Sequence, residues 1–259
     1  MKIALGIEYN GHGFHGWQTQ QNLPTIQSCL EEALSNIADE RIITFCAGRT
    51  DAGVHATGQV IHFETKAKRN MRAWVLGTNT HLPPTIAVRW ASVVDDDFHA
   101  RYKALSRAYR YIIYNHTSRP ALLTSRITWN YDVLNLATMQ AASQYLIGEL
   151  DFSSFRSSEC ESPTPMRNVT HININRIDDY IVIDIQANAF LHHMVRNIVG
   201  ALMHIGAGFE EPEWMRKVLL ARDRRQAVET APPYGLYLVK VTYPDIYKIP
   251  CKNNQLILI

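Results

Sequence analysis

The sequence predicts an α+β protein of two ferredoxin-like, or RRM-like, halves with antiparallel sheets. Three observations carry that reading. Strand-like and helix-like stretches follow one another as β-α-β-β-α-β up to about residue 105. The same order returns loosely over 106–259, as a repeat of architecture rather than of sequence. A chain of 259 residues, 46% hydrophobic and 19% charged, has enough apolar residues for a sizeable core. The division is therefore 1–105 and 106–259. No Pro/Gly-rich linker marks it, which favours two halves packed tightly together.

Lys2 to Tyr9 reads as a strand, and Asn10 to Pro24 as a polar, Gly-rich loop holding His12, His15 and Trp17. Thr25 can cap a helix in which Ile26, Leu30, Ala33, Leu34 and Ile37 recur at helical spacing, with Glu31 and Glu32 on its other side. Ile42 to Cys46 and Gln59 to Phe63 are strand-like and flank a short loop. Arg72 to about Leu82 reads as a helix ended by Pro83-Pro84, and Ile86 to Val94 as a strand. In the second half, Ser106 to Asn115 is a strand and Leu134 to Ile147 a helix. Val169 to Ile177 and Tyr180 to Asn188 form a hairpin around Asp178-Asp179. Phe190 to Ile205 is a long helix, Pro212 to Ala221 a shorter one, and Leu236 to Tyr243 the last strand. Leu150 to Arg167 reads as a mobile loop.

Composition excludes several classes. Net charge is +2, so a nucleic-acid surface has to come from local clustering rather than from the chain as a whole. Cys29, Cys46, Cys160 and Cys251 show no C-x-x-C spacing and read as reduced thiols of a cytosolic protein. Glu8 interrupts the apolar N-terminus, which is too short for a secretory signal, and no window reaches membrane-span length. Eleven histidines raise the question of a metal. His192 and His193 are adjacent and do not share a helix face, and there is no H-E-x-x-H, so no metal is expected. No cofactor is expected.

The most informative stretch is Ala47 to Phe63, AGRTDAGVHATGQVIHF. Gly48 and Gly53 bracket Arg49, Thr50 and Asp51 on a tight loop between two strands, a rigid base of the kind that carries catalytic groups. Asp and Thr also complete ordinary turns, so residue types alone leave both readings open. On the long helix, Leu191, Met194, Val195, Ile198, Val199 and Leu202 form an apolar stripe. His193, Arg196, Asn197 and Gly200 share another face, either solvated or holding a partner for Arg196. Strand alternation puts Tyr109, Tyr111 and Ile113 together. Basic residues cluster as Lys66, Lys68, Arg69 and Arg72, as Arg101, Lys103, Arg107 and Arg110, and as Arg222, Arg224 and Arg225.

The string GRTDAGVHA resembles the signature of the TruA family of tRNA pseudouridine synthases. FLHHMVRNIVG is similar to that family's second motif, and SRAYRYIIY to its tyrosine-bearing strand. The resemblance runs over nearly the whole chain. It implies the pseudouridine synthase fold, with a cleft between the halves, and isomerisation of uridine to pseudouridine at tRNA positions 38, 39 and 40 in the anticodon stem-loop. It implies Asp51 as the catalytic residue and Arg196 as its partner. Tyr109 and Leu236 would bind the target base, and Arg49 would occupy the space the flipped base leaves. Arg69 and the run Phe98, His99, Ala100, Arg101 and Tyr102 would contact tRNA. A cytoplasmic homodimer is implied by the family only. A non-catalytic RNA-binding protein of two ferredoxin-like halves is the alternative, and a hydrolase of nucleoside bonds a more distant one.

Overall fold

The computed structural model describes residues 1–160 and 162–250. In chain order the elements are β1 (Lys2–Tyr9), α1 (Ile26–Ala38), β2 (Phe45–Cys46), β3 (His55–Glu64), α2 (Thr78–His81), β4 (Ile86–Val94), β5 (Ser106–Asn115) and β6 (Thr128–Asn130). There follow α3 (Leu136–Ser143), β7 (Gly148–Asp151), β8 (Met166–Ile177), β9 (Tyr180–Ala187), α4 (Met194–Gly206), α5 (Trp214–Ala221) and β10 (Leu236–Thr242). The protein is α+β, and it divides into two units: Met1–Arg107 with Tyr237–Ile259, and Ala108–Leu236. The expected second half, 106–259, is thus shorter than predicted, because the C-terminal strand pairs in the first unit.

In the first unit the strand order is β4-β1-β3-β10, with β2 added on β3. The β1–β3 register pairs Ile3 with Phe63 and Leu5 with Ile61, and on the opposite face Ala4 with His62. Trp74, in a π-helical turn over Ala73–Gly77, sets its ring 5.2 Å from Phe63. The helix expected over 72–82 is this π turn followed by the single turn of α2. α1 begins where Thr25 predicts it: the Thr25 hydroxyl accepts from the Ser28 N–H at 3.2 Å, and the Ser28 hydroxyl accepts from the Thr25 N–H at 3.3 Å. β10 runs parallel to β3, pairing Tyr237 with His55 and Leu238 with Ala56, so the sheet is mixed rather than purely antiparallel. A Cβ on Gly58 would lie 2.1 Å from the Val239 carbonyl oxygen, so only glycine admits this approach.

In the second unit the order is β5-β9-β8-β7, with β6 parallel on β5. β8 and β9 form the expected hairpin, and Asp178 takes φ 50° at its turn. Asn135 caps α3 by accepting from the Ala137 N–H at 2.9 Å, and its own N–H donates to the Gly206 carbonyl at the end of α4. Leu150 to Arg167 is only partly a loop: β7 pairs with β8 there, and Phe152 and Phe155 are fully buried. Glu161 of that stretch lies outside the described residues, as does Cys251. α4 starts four residues later than predicted. His193 at φ 63° interrupts the helical path, while the Ser157 N–H takes the His192 carbonyl at 2.9 Å. Among the described residues no helix is long and apolar enough to cross a membrane.

Candidate active site

The Asp51 loop joins β2 to β3 and is braced along its length. The Ala47 N–H donates to the Val60 carbonyl at 2.8 Å, and Gln59, fully buried, donates its amide to the Gly48 carbonyl at 2.6 Å. The Thr50 carbonyl accepts from the Trp17 N–H at 2.9 Å, and its hydroxyl shares a hydrogen bond with the Tyr9 phenol at 2.7 Å. The loop closes with the Val54 N–H on the Asp51 carbonyl at 3.1 Å, Gly53 taking φ 78°. Gly16 lies so close beneath that a Cβ there would stand 2.9 Å from the Thr50 carbonyl oxygen. Thr50 therefore points inward as a structural residue, and Arg49 and Asp51 flank it on a backbone with little freedom.

The remaining predicted residues of this unit fall in two places. Arg69 is exposed and donates to the Ile37 carbonyl at 3.0 Å, at the C-terminal end of α1. Phe98 and Ala100 are fully buried, so His99, Arg101 and Tyr102 are the side chains of that run that reach the surface. His62 holds the run in place: its Nδ1 accepts from the Ala100 N–H at 3.1 Å. Burial, with His99 and Lys2 adding to it, pushes the His62 imidazole down to about 4, so the ring is a neutral acceptor at physiological pH.

In the second unit, Arg196 is held to the segment before β10. Its Nε donates to the Ala231 carbonyl at 2.8 Å, and the Ala231 N–H returns to the Arg196 carbonyl at 3.2 Å. Asn197, also buried, donates to the Phe155 carbonyl at 2.7 Å and accepts from the Thr230 hydroxyl at 2.7 Å and Arg224 at 3.2 Å. A Cβ on Gly200 would stand 2.3 Å from the Glu229 carbonyl oxygen. The polar face of α4 is thus packed against residues 229–231 and is not a solvated face. The same segment leads to Leu236, which is buried at the start of β10. Tyr111 fixes it midway by donating to the Pro232 carbonyl at 2.8 Å, and burial drives that phenol far above its ordinary range. Tyr109 is buried, with its ring edge-on to Phe190 at 5.0 Å.

A family model described as tRNA pseudouridine synthase matches residues 6–103 and 142–244, including the Asp51 loop and all of α4. The chain belongs to the tRNA pseudouridine synthase family. A protein named tRNA pseudouridine synthase A from Photorhabdus laumondii is 57% identical over 97% of this chain and 95% of its own. Its namesake from Yersinia pestis is 56% identical over 96% of this chain and 95% of its own. One from Escherichia coli O157:H7 is 57% identical over 96% of this chain and 92% of its own.

The basic residues of this synthase-family chain divide by what they hold. Arg107 is buried and donates to backbone carbonyls, and Arg110 makes a two-pronged ion pair with Asp184 at 2.7 and 2.9 Å. Neither is part of a phosphate-binding run, as the clustering suggested. Arg222 pairs with Asp151 at 3.2 Å, Arg225 with Asp223 at 2.8 Å, and Arg224 serves Asn197. Arg101 remains exposed. Sequence reading missed Tyr9 and Gln59, and it named Arg107, Tyr111 and Asn197 without the backbone contacts they make. A buried glutamine inside the apolar run of β3, and an arginine inside the apolar run of β5, were the available signals.

Proposed function

We propose that the protein isomerises uridine to pseudouridine at positions 38, 39 and 40 in the anticodon stem-loop of tRNA. What carries the reading is the Asp51 loop, held by hydrogen bonds at Ala47, Gly48, Thr50 and Val54 in a member of the tRNA pseudouridine synthase family. The bond from N1 of uracil to C1′ breaks, the base turns, and C5 bonds to C1′. The proton leaving C5 is balanced by one gained at N1. Nothing is oxidised or hydrolysed, so the chemistry calls for no cofactor. It needs one group able to act as nucleophile or base, which is Asp51, and a pocket that keeps the detached uracil, to which Tyr109 and Leu236 contribute. Arg196 keeps the Asp51 carboxylate ionised, because an opposite charge favours that form.

The target base is stacked and paired, and removing it from the stack costs a few kcal/mol. Arg49 offsets that cost by placing its flat guanidinium where the base was, while Arg69 and Arg101 hold phosphates. The resemblance also supports a homodimer working in the cytoplasm. The deciding experiment incubates the protein with an unmodified tRNA transcript in EDTA and maps pseudouridine by carbodiimide primer extension. Stops at positions 38 to 40 are expected. Binding without conversion would support the non-catalytic alternative, and release of free uracil would indicate a hydrolase.

A further inference from the structure

Where β2 leaves the sheet, a side chain takes over from the backbone. The β2–β3 register pairs Phe45 with His62 and Cys46 with Ile61, and the Ala47 N–H still donates to the Val60 carbonyl at 2.8 Å. Continued one step, that register brings Gly48 to Gln59. There the Gly48 carbonyl accepts from the Gln59 side-chain amide at 2.6 Å, while the Gln59 Oε1 accepts from the Val60 N–H at 3.2 Å. Both ends of the amide are engaged, which sets its orientation, since only its nitrogen can donate and only its oxygen can accept. Gln59 is fully buried on a strand whose Val60, Ile61 and Phe63 belong to the core. A polar group in such a place costs stability unless it is hydrogen-bonded, and the bonds of this one run to the junction of strand and loop.

The residue after that junction is Arg49, which is exposed. The Gly48 carbonyl belongs to the peptide that ends at the Arg49 nitrogen, so its direction sets the plane from which Arg49 departs. Beyond Arg49 the chain is fixed again: the Thr50 carbonyl accepts from the Trp17 N–H at 2.9 Å, and the Thr50 hydroxyl shares a hydrogen bond with the Tyr9 phenol at 2.7 Å. Arg49 thus stands between two anchored residues, and Gln59 anchors the first. Asp51 lies past the second anchor, with its own carbonyl held by the Val54 N–H at 3.1 Å. Loss of the Gln59 contact is therefore felt first at Arg49. A long side chain multiplies any tilt of the plane it leaves from, and a starting direction fixed in advance lowers the cost of ordering it.

We propose that Gln59 is a positioning residue for Arg49. It carries the β2–β3 ladder one rung past Ala47 and fixes the direction in which Arg49 leaves the loop. The proposal rests on the tRNA reading above and on the place that reading gives Arg49, and it adds the residue that holds Arg49 there.

The test uses the full-length protein and two anticodon stem-loop RNAs, one with the target uridine paired and one with it mismatched. Single-turnover pseudouridine formation at saturating enzyme is measured for wild type, Gln59→Met, Arg49→Ala and the double variant. Methionine matches glutamine in length and offers no donor to the Gly48 carbonyl. Gln59→Met is expected to slow conversion of the paired RNA about ten-fold and of the mismatched RNA at most about two-fold, as a misplaced Arg49 would. Arg49→Ala should show the same pattern at greater size. Adding Gln59→Met to Arg49→Ala should cost nothing more on the paired RNA, because one residue acts through the other. Both RNAs are assayed on one preparation, so a loss of folded protein cancels in the ratio of the two rates. A wild-type rate in Gln59→Met overturns the proposal. So does a pattern across the two RNAs unlike that of Arg49→Ala, or a further loss in the double variant. If Arg49→Ala slows both RNAs equally, the flipping role of Arg49 has failed, and the double variant still decides whether Gln59 acts through Arg49. If the wild-type protein forms no pseudouridine, the tRNA reading itself has failed and takes the proposal with it.

Discussion

Arg107 donates from both Nε and Nη2 to the carbonyl oxygen of Ala47, at 3.3 and 3.0 Å, and so grips the backbone two residues before Arg49. The same guanidinium reaches the Ala104 carbonyl at 3.2 Å and the Arg101 carbonyl at 2.5 Å. One buried cation therefore ties the Asp51 loop to the segment that presents Arg101 and Tyr102. A planar fork with five donors can satisfy three carbonyls at once, whereas an ammonium on a flexible stem cannot.

Arg107→Lys is expected to keep the charge and lose the geometry. Thermal unfolding should begin at a lower temperature, and single-turnover pseudouridine formation at saturating enzyme should slow by roughly ten-fold, since small misplacements of catalytic groups are costly. A lysine variant with the wild-type rate would show that the clamp does not position Asp51.

Two glycines with nearly equal backbone angles separate strain from contact. Gly16 and Gly13 take φ 86° and 84°, but a Cβ on Gly16 would meet the Thr50 carbonyl while a Cβ on Gly13 meets nothing within 4 Å. Gly13→Ala should cost about 1 kcal/mol of stability and little activity, through φ alone. Gly16→Ala should cost more, on the order of 2–3 kcal/mol, and should reduce turnover as well by displacing Thr50. Equal effects in urea melts and kinetic assays would detach Gly16 from the loop.

Asn197→Ala removes the group that joins Phe155, Thr230 and Arg224 in the second unit. It leaves the buried Phe155 carbonyl and the half-buried Thr230 hydroxyl each with a partner lost, a change expected to destabilise the protein by about 2 kcal/mol. Denaturant unfolding should show a lower midpoint with an unchanged slope. A midpoint within error of wild type would mean that water replaces the amide there.

His62 sets an acid limit on stability. Its pKa is about 4 in the folded protein against an ordinary 6.5, so between those values the unfolded chain binds more protons. The stability it contributes is complete above pH 6.5 and is lost as pH falls toward 4, on the order of 3 kcal/mol in all. His62→Asn keeps an acceptor for the Ala100 N–H and cannot titrate. Its stability curve should be flatter than wild type over that window, and an equally steep curve would assign the acid sensitivity to other groups.

Much of the fold was legible locally. Thr25 announced α1, and the apolar runs of β1, β4 and β5 and the Asp178 hairpin stood where periodicity put them. The strand expected over 42–46 shrank to Phe45–Cys46 for a reason that periodicity does not reveal. The backbone there is satisfied by side chains of α1: Ser35 accepts from the Ile42 N–H at 2.9 Å, and Glu31 accepts from the Thr44 N–H at 2.8 Å. The apolar pattern of α4 runs back through Leu191, but the left-handed turn at His193 has no hydrophobic signature. β10 pairs with a strand some 180 residues earlier, and no local pattern reports such a partner. At the site, bracketing glycines and family resemblance drew attention to Arg49 and Asp51. Gln59 escaped, and Arg107 was read only as one of a basic cluster, because both bond to backbone carbonyls, an acceptor that every residue offers.

Asp51→Asn is the most direct measurement of what this protein does. The substitution removes one charge and changes shape little, on a loop whose backbone is held by its neighbours. Pseudouridine formation should be measured in a single turnover on unmodified tRNA, with tRNA affinity determined in parallel on the same preparation. Asp51 as the nucleophile or base predicts conversion below detection with affinity within a few-fold of wild type. Substantial conversion by a verified, uncontaminated Asp51→Asn protein would contradict it.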